Sequence, residues 1–318
     1  MEAWIWIALG AALLGVAFLL ILRWCYRQAF YSDRRKATQS HDFLGDAEDE
    51  FCRAPMHALV DELEACSFER VTIRSRDGLK LSACYYHFSD ENRLEILFHG
   101  WRSNAVRDGC GGAKLARDLG YNLLLVDQRS HGESEGHTIT FGVKEQYDCL
   151  DWISYAIERF GKNVGILLGG VSMGAATVLM ASGLDLPENV VGITADCGYS
   201  SPEAIIRKVC RDRGIPDRIG YPFVRMGARL FGGFSLSGNG CVDAVRRAHV
   251  PIMIMHGERD TFVPFSMCRE IYDACASEKR LLTVPRANHG LSYFYDTERY
   301  IREVGNFKRD CLNGTIHN

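Results

Sequence analysis

Residues 164–182 read VGILLGGVSMGAATVLMAS. The apolar run Val164–Leu168, closed by Gly169 and Gly170, has the length and punctuation of a buried strand, and the small and apolar residues after Gly174 form helix readily. Between them stands Gly170-Val171-Ser172-Met173-Gly174. A strand that reverses into a helix within so few residues leaves no room for side chains beside the turn, which accounts for Gly170 and Gly174 on either side of a strained central serine. Ser172 then projects from the N-terminal end of a helix, where the helix dipole favours developing negative charge.

Outward from this segment, short apolar runs recur at Leu94–Phe98, Leu123–Val126, Val190–Ala195, Ile252–Met255 and Leu281–Val284, each separated by enough chain for a helix. This alternation implies a mostly parallel sheet covered by helices on both faces, with loops at the C-terminal strand ends free for chemistry. From Phe68 the period is two, with Asp77-Gly78 between the runs, which reads as a hairpin. The interval from about 198 to 249 is twice what one helix needs and carries Phe223, Met226, Leu230, Phe231 and Phe234. It reads either as a lid-like helical insertion or as extra helices extending the core.

A serine nucleophile needs a base, and the base an orienting acid, in the chain order serine, acid, histidine for this architecture. The strand PIMIM runs into His256-Gly257-Glu258-Arg259-Asp260, which puts Asp260 in a loop at a strand end, and the next strand runs into Asn288-His289-Gly290. After Asp260 only His289 and His317 remain, and His317 is the penultimate residue. His289 is therefore the base, with Asp260 the acid and Asp196, at the end of VVGITA, the alternative acid. Oxyanion donors are expected from the backbone N–H of Met173 and, in the loop His99-Gly100-Trp101-Arg102, of Trp101. A second match to the same pentapeptide, Gly132–Gly136 around Ser134, has no strand running into it and reads as a structural loop, as do His99, Asp127 and His131.

At these residues the chain resembles the α/β-hydrolase family, and within it bacterial membrane-anchored serine hydrolases of the serine aminopeptidase-like kind. The resemblance covers about Phe68 to Leu312 and rests on HGW at 99–101, DQRSHGESEG at 127–136, GVSMG at 170–174, GERDTFVP at 257–264 and NHG at 288–290. It implies an α/β-hydrolase fold and a Ser172–His289–Asp260 triad, and leaves ester, thioester and amide substrates open. Ser130 stands where the commoner loop pattern has glycine.

The N-terminus has a different character. Ala3 to Leu22 is 20 residues without a charge, about 30 Å of helix, enough to cross the hydrocarbon of a bilayer. Only Glu2 precedes the run, whereas Arg23, Arg27, Arg34, Arg35 and Lys36 follow it. This is not the layout of a cleaved signal peptide; it reads as an uncleaved anchor with its N-terminus outside and the body cytoplasmic. Trp24, Tyr26, Phe30 and Tyr31 read as interfacial anchors. The organisation expected is an anchor and basic flank over 1–37, a linker and amphipathic helix over 38–67, and the catalytic domain over 68–318.

Net charge is −3, and the first 37 residues contribute +3, so an acidic body excludes the basic stripe that nucleic acid requires. Twelve cysteines scattered singly read as reduced thiols. No metal or organic cofactor is implied. The expected activity is hydrolysis of a small acyl or lipid-like ester or thioester. An aminopeptidase on the same triad, or a membrane-tethered binding protein of this fold without catalysis, are the alternatives; a long apolar tunnel beside Ser172 favours lipid acyl chains and a short polar pocket small esters or peptides.

Overall fold

The computed structural model describes residues 2–33, 47–238 and 240–315. Arg34, Arg35, Lys36, His317 and the linker as far as residue 46 lie outside them. The apolar N-terminus is one helix, α1 (Glu2–Ala29), longer than the span 3–22. It is exposed without a break from Trp4 to Ile21, but its last turns pack on one side: Leu22, Tyr26 and, just beyond the helix, Phe30 are buried. Phe30 packs edge-on against Phe141 and Phe234, with ring centroids 5.7 and 5.2 Å apart. Tyr26 and Phe30 are therefore core residues rather than the interfacial anchors that their position after an apolar run implies, whereas Trp24 is exposed.

The acidic stretch before Pro55 ends in a 3-10 turn (Ala47–Cys52) and leads into α2 (Arg53–Glu64), whose Met56, Val60 and Leu63 are buried at the expected spacing. The hairpin follows as β1 (Glu69–Arg74) and β2 (Lys80–Tyr86), antiparallel with Glu69 opposite Tyr85. Gly78 closes its turn at φ +91°, which a side chain would resist. Strand and helix then alternate: β3 (Arg93–Phe98), α3 (Ala105–Asp118), β4 (Asn122–Asp127), α4 (Glu145–Phe160), β5 (Gly165–Val171), α5 (Met173–Ala181) and β6 (Val190–Asp196). The interval after β6 holds α6 (Pro202–Asp212), α7 (Asp217–Gly227) with a π-helical extension (Ala228–Gly232), and α8 (Cys241–Val245). The chain finishes with β7 (Ile252–Gly257), α9 (Phe265–Ala274), β8 (Lys279–Val284), α10 (Ser292–Tyr295) and α11 (Thr297–Leu312).

The eight strands form one sheet in the order β1-β2-β4-β3-β5-β6-β7-β8. β2 is antiparallel to β4, and the six strands β3 to β8 are mutually parallel. Both faces are covered, so β5 is apolar throughout: Ile166 and Leu168 face a core shared with α4, α5 and α9, and Leu167 faces one shared with α2, α3 and α11. The chain leaves β3 to build β4 on one side and returns to build β5 on the other. This reversal opens a crevice at the C-terminal ends of β3 and β5, where ligands bind in open α/β sheets.

Candidate active site

Ser172 sits at the end of β5 with φ +56° and ψ −113°, a strained conformation for a residue with a side chain. The turn is this tight because backbone crowds it. A Cβ on Gly170 would overlap the backbone of Gly174, and one on Gly174 the carbonyl of Phe98. The Ser172 N–H donates to the Asp196 carbonyl at 2.8 Å, tying the turn to β6.

The loops after β7 and β8 bring Asp260 and His289 to this serine. His289 Nε2 lies 2.9 Å from Ser172 Oγ, and His289 Nδ1 lies 2.7 Å from Asp260 Oδ2. A carboxylate at Nδ1 keeps the proton there, so Nε2 is left to accept from the serine hydroxyl. Asp260 is itself fixed, its Oδ1 accepting from the N–H groups of Phe262 at 2.9 Å and Val263 at 2.7 Å. Burial pushes its carboxyl up, but His289 and His256 outweigh burial and hold it well below the usual carboxylate range. The alternative acid, Asp196, accepts instead from Ser292 Oγ at 3.1 Å, and burial pushes its carboxyl up. Asp260 is thus the acid that this geometry joins to His289.

The loop after β3 approaches the serine from the other side. A Cβ on Gly100 would lie 3.4 Å from Ser172 Cβ. Gly100 N–H donates to Asp108 Oδ2 at 2.7 Å, and Arg102 N–H to His131 Nε2 at 3.0 Å. Burial pushes the His131 imidazole down to about 3, so its Nε2 stays an acceptor. Between these two tethers, the N–H of Trp101 meets no acceptor among the described residues, and neither does that of Met173. Both expected donors are therefore available.

Ser134 is placed elsewhere. It is buried, with its Oγ donating to the Asp127 carbonyl at 2.5 Å and accepting from Ser82 N–H at 2.8 Å, which makes it a brace of its loop. His99 likewise holds backbone, with Nδ1 donating to the Gly100 carbonyl at 2.8 Å and Nε2 accepting from Gln128 N–H at 3.2 Å.

Three site residues carry no signal in the sequence. Asp108 tethers Gly100 and pairs with Arg107 at 3.0 Å. Asp49 is buried, although its surroundings read as a linker, and accepts from Asn288 Nδ2 at 3.1 Å and Tyr295 Oη at 2.6 Å beside His289. His256 Nε2 lies 3.3 Å from Asp260 Oδ2, the same oxygen that His289 Nδ1 approaches. Cys197, Asp260 and His289 come close enough to share a cation. Asp260 and His289 are already bonded to each other, however, and burial raises the Cys197 thiol far above its ordinary value, which does not suit a metal site.

Two cavities meet at the serine. The larger, about 540 Å³, has Ser172, His289 and Gly100 in its wall together with Asp49, Glu95 and Tyr293. The smaller, about 270 Å³, is lined by Ser172, Trp101 and Phe262 and by apolar side chains of α1, α6 and α7.

The model of the alpha/beta hydrolase family matches residues 96–303. The chain belongs to the α/β-hydrolase family. The hydrolase is 24% identical over 260 residues to the uncharacterised Bacillus subtilis protein YqkD, covering 81% of this chain and 85% of that one. It is 28% identical over 219 residues to the zebrafish (Danio rerio) lysophosphatidylserine lipase ABHD12, covering 65% of this chain and 54% of the lipase. Among solved structures, the Pyrococcus furiosus esterase Pf2001 superposes with a TM-score of 0.62 at 22% identity over 78% of the hydrolase and 94% of the esterase. Est1E from Butyrivibrio proteoclasticus, solved with ferulic acid bound, gives 0.60 at 20% identity over 76% and 99%. At these identities the structural likeness establishes the fold.

Proposed function

We propose that the protein is a membrane-anchored serine hydrolase that cleaves acyl esters or thioesters through an acyl-enzyme. The observation that carries this reading is the unbroken hydrogen-bonded chain Ser172–His289–Asp260, whose serine lines two cavities. As Ser172 Oγ bonds to the acyl carbon, its proton passes to His289 Nε2, and Asp260 stabilises the imidazolium. The carbonyl electrons move onto oxygen, where the N–H groups of Trp101 and Met173 meet the negative charge. Collapse expels the alcohol or thiol, which takes the proton from His289. Water then repeats the sequence on the acyl-serine and releases the acid.

An aminopeptidase needs a free carboxylate or carbonyl to receive the substrate's amine. The carboxylates lining the larger cavity are already engaged: Asp49 with Asn288 and Tyr295, Glu95 with Lys308, Asp108 with Arg107 and Gly100, Asp196 with Ser292. Esters and thioesters, which ask for no such partner, fit better, and they agree with the esterases and the lipase among its relatives.

Helix α1 holds, within Trp4–Ala29, an apolar stretch long enough to cross a bilayer. Its buried end argues for a retained anchor, since cleavage as a signal would take Leu22, Tyr26 and Phe30 out of the core. The basic residues after the span, and twelve cysteines that are all free thiols, favour a cytoplasmic catalytic domain.

The test is hydrolysis of p-nitrophenyl butanoate by the full chain in detergent or vesicles. The wild type turns the ester over, and Ser172→Ala and His289→Ala each lower kcat by about 10⁴-fold or more. Equal rates in all three overturn the reading.

A further inference from the structure

The smaller cavity is not built by the catalytic domain alone. One wall is α1, through Ile21, Cys25 and Gln28, and the facing wall is α6 and α7, through Ile206, Phe223 and Val224. Ser172 and Trp101 line it as well. We infer that this cavity holds the fatty-acyl chain of a lipid ester resident in the bilayer, and that the membrane helix is itself part of the substrate site. The inference rests on the assignment of Ser172 as nucleophile and adds the class of substrate and its route of entry.

Position relative to the membrane points the same way. Phe18, within the uncharged run Ala3–Leu22, stacks edge-on against Phe223 of α7 with centroids 5.9 Å apart. A residue of the insertion therefore lies level with the part of α1 that sits in hydrocarbon. The outer surface of the insertion also presents apolar side chains: Ile219 and Met226 of α7 and Leu230 just beyond it are exposed. The groove between the two helices is thus walled by residues that already adjoin lipid, and an acyl chain enters it sideways without crossing water.

Charge supports the same orientation. Residues 198–249 contain nine Lys and Arg against four Asp and Glu in a chain whose net charge is −3. A cationic insertion beside the anchor is drawn to an anionic leaflet, at about 1 kcal/mol per basic residue near the surface. Where the two cavities meet, the apolar wall delivers the ester carbonyl to Ser172, and the larger cavity, whose wall holds more polar side chains than the smaller one, is left for the alcohol portion.

The experiment uses the full chain in vesicles of anionic phospholipid and a long-chain alkyl phosphonate p-nitrophenyl ester with a diazirine at the end of its chain. Ser172 Oγ bonds to phosphorus, the nitrophenolate leaves, and the serine proton passes to His289. Irradiation then crosslinks the chain end to whatever it touches. The expected product joins Ser172 to a peptide containing residues 21–28 or 219–224. A crosslink to the larger cavity, at 109–115 or 293–304, or to any other segment, overturns the inference while leaving the nucleophile in place. Absence of any adduct at Ser172 overturns the nucleophile assignment as well.

An independent measurement fills the groove. Cys25→Trp lowers kcat/KM for a dodecanoyl ester relative to an acetyl ester by about tenfold or more, because methylene contacts are lost only for the longer chain. An unchanged ratio overturns the inference.

Discussion

The indole Nε1 of Trp101 donates a 3.1 Å hydrogen bond to the carbonyl of Ala29, the last residue of α1. Arg102 next to it donates to the carbonyls of Arg27, Gln28 and Tyr31 at 3.2, 3.0 and 2.9 Å, satisfying groups that a helix end leaves without intrahelical partners. The loop assigned to the oxyanion and the end of α1 are therefore one unit. α1 is thus part of the folded body as well as the proposed tether. Phe30→Ala, at a fully buried ring, costs about 3–5 kcal/mol of stability, read as a fall in melting temperature of the detergent-solubilised protein. An unchanged melt would reduce α1 to a tether.

Asp196 closes β6 and Asp260 lies in the loop after the neighbouring β7, and of the two it is Asp260 that bonds His289, at 2.7 Å. Asp260→Asn removes the acceptor that sets the imidazole tautomer and lowers kcat for a short ester about 10⁴-fold. Asp196→Asn lowers it far less. Steady-state kinetics of the two variants decides between the acids; a larger loss at Asp196 contradicts the assignment.

Gly174 has no room for a methyl, which would meet the Phe98 carbonyl. Gly174→Ala is expected in the rare class of substitutions costing more than about 4 kcal/mol. Gly10→Ala in α1, where a methyl meets nothing within 4 Å, changes stability little. Chemical denaturation of both variants measures the contrast.

Asp108 carries a pH dependence. Burial pushes its carboxyl up, but Arg107, Ser103 and the Gly100 N–H outweigh burial and hold it below its ordinary value. The unfolded chain then binds its proton first on acidification, so the stability this group contributes is complete above about pH 4 and is lost as pH falls through the lower folded value. Asp108→Asn keeps an acceptor for Gly100 and flattens the acid side of the stability profile. Parallel profiles for variant and wild type contradict this account.

The sheet and the three residues that the fold joins at Ser172 were legible because each rests on a local signal: apolar runs of strand length, glycines on both sides of Ser172, and polar loops directly after β7 and β8. What was not legible depends on contacts distant in sequence. Asp49 meets Asn288 across 239 positions, and nothing around it separates a buried hook from a linker. The uniform apolarity of Ala3–Leu22 reads as a membrane helix but does not say that the chain just after it enters the core, since Tyr26 and Phe30 suit an interface equally well. The two readings of the interval 198–249 were indistinguishable from composition; its helices face α1 across the smaller cavity, a relation between separate segments.

The central claim is that Ser172 is the nucleophile. A fluorophosphonate probe applied to the full-length protein in vesicles, followed by peptide mapping of the adduct, tests it most directly. The account predicts one modified peptide, carrying the adduct on Ser172, and its loss in Ser172→Ala. An adduct on Ser134, or none on any serine of a folded protein, would contradict it.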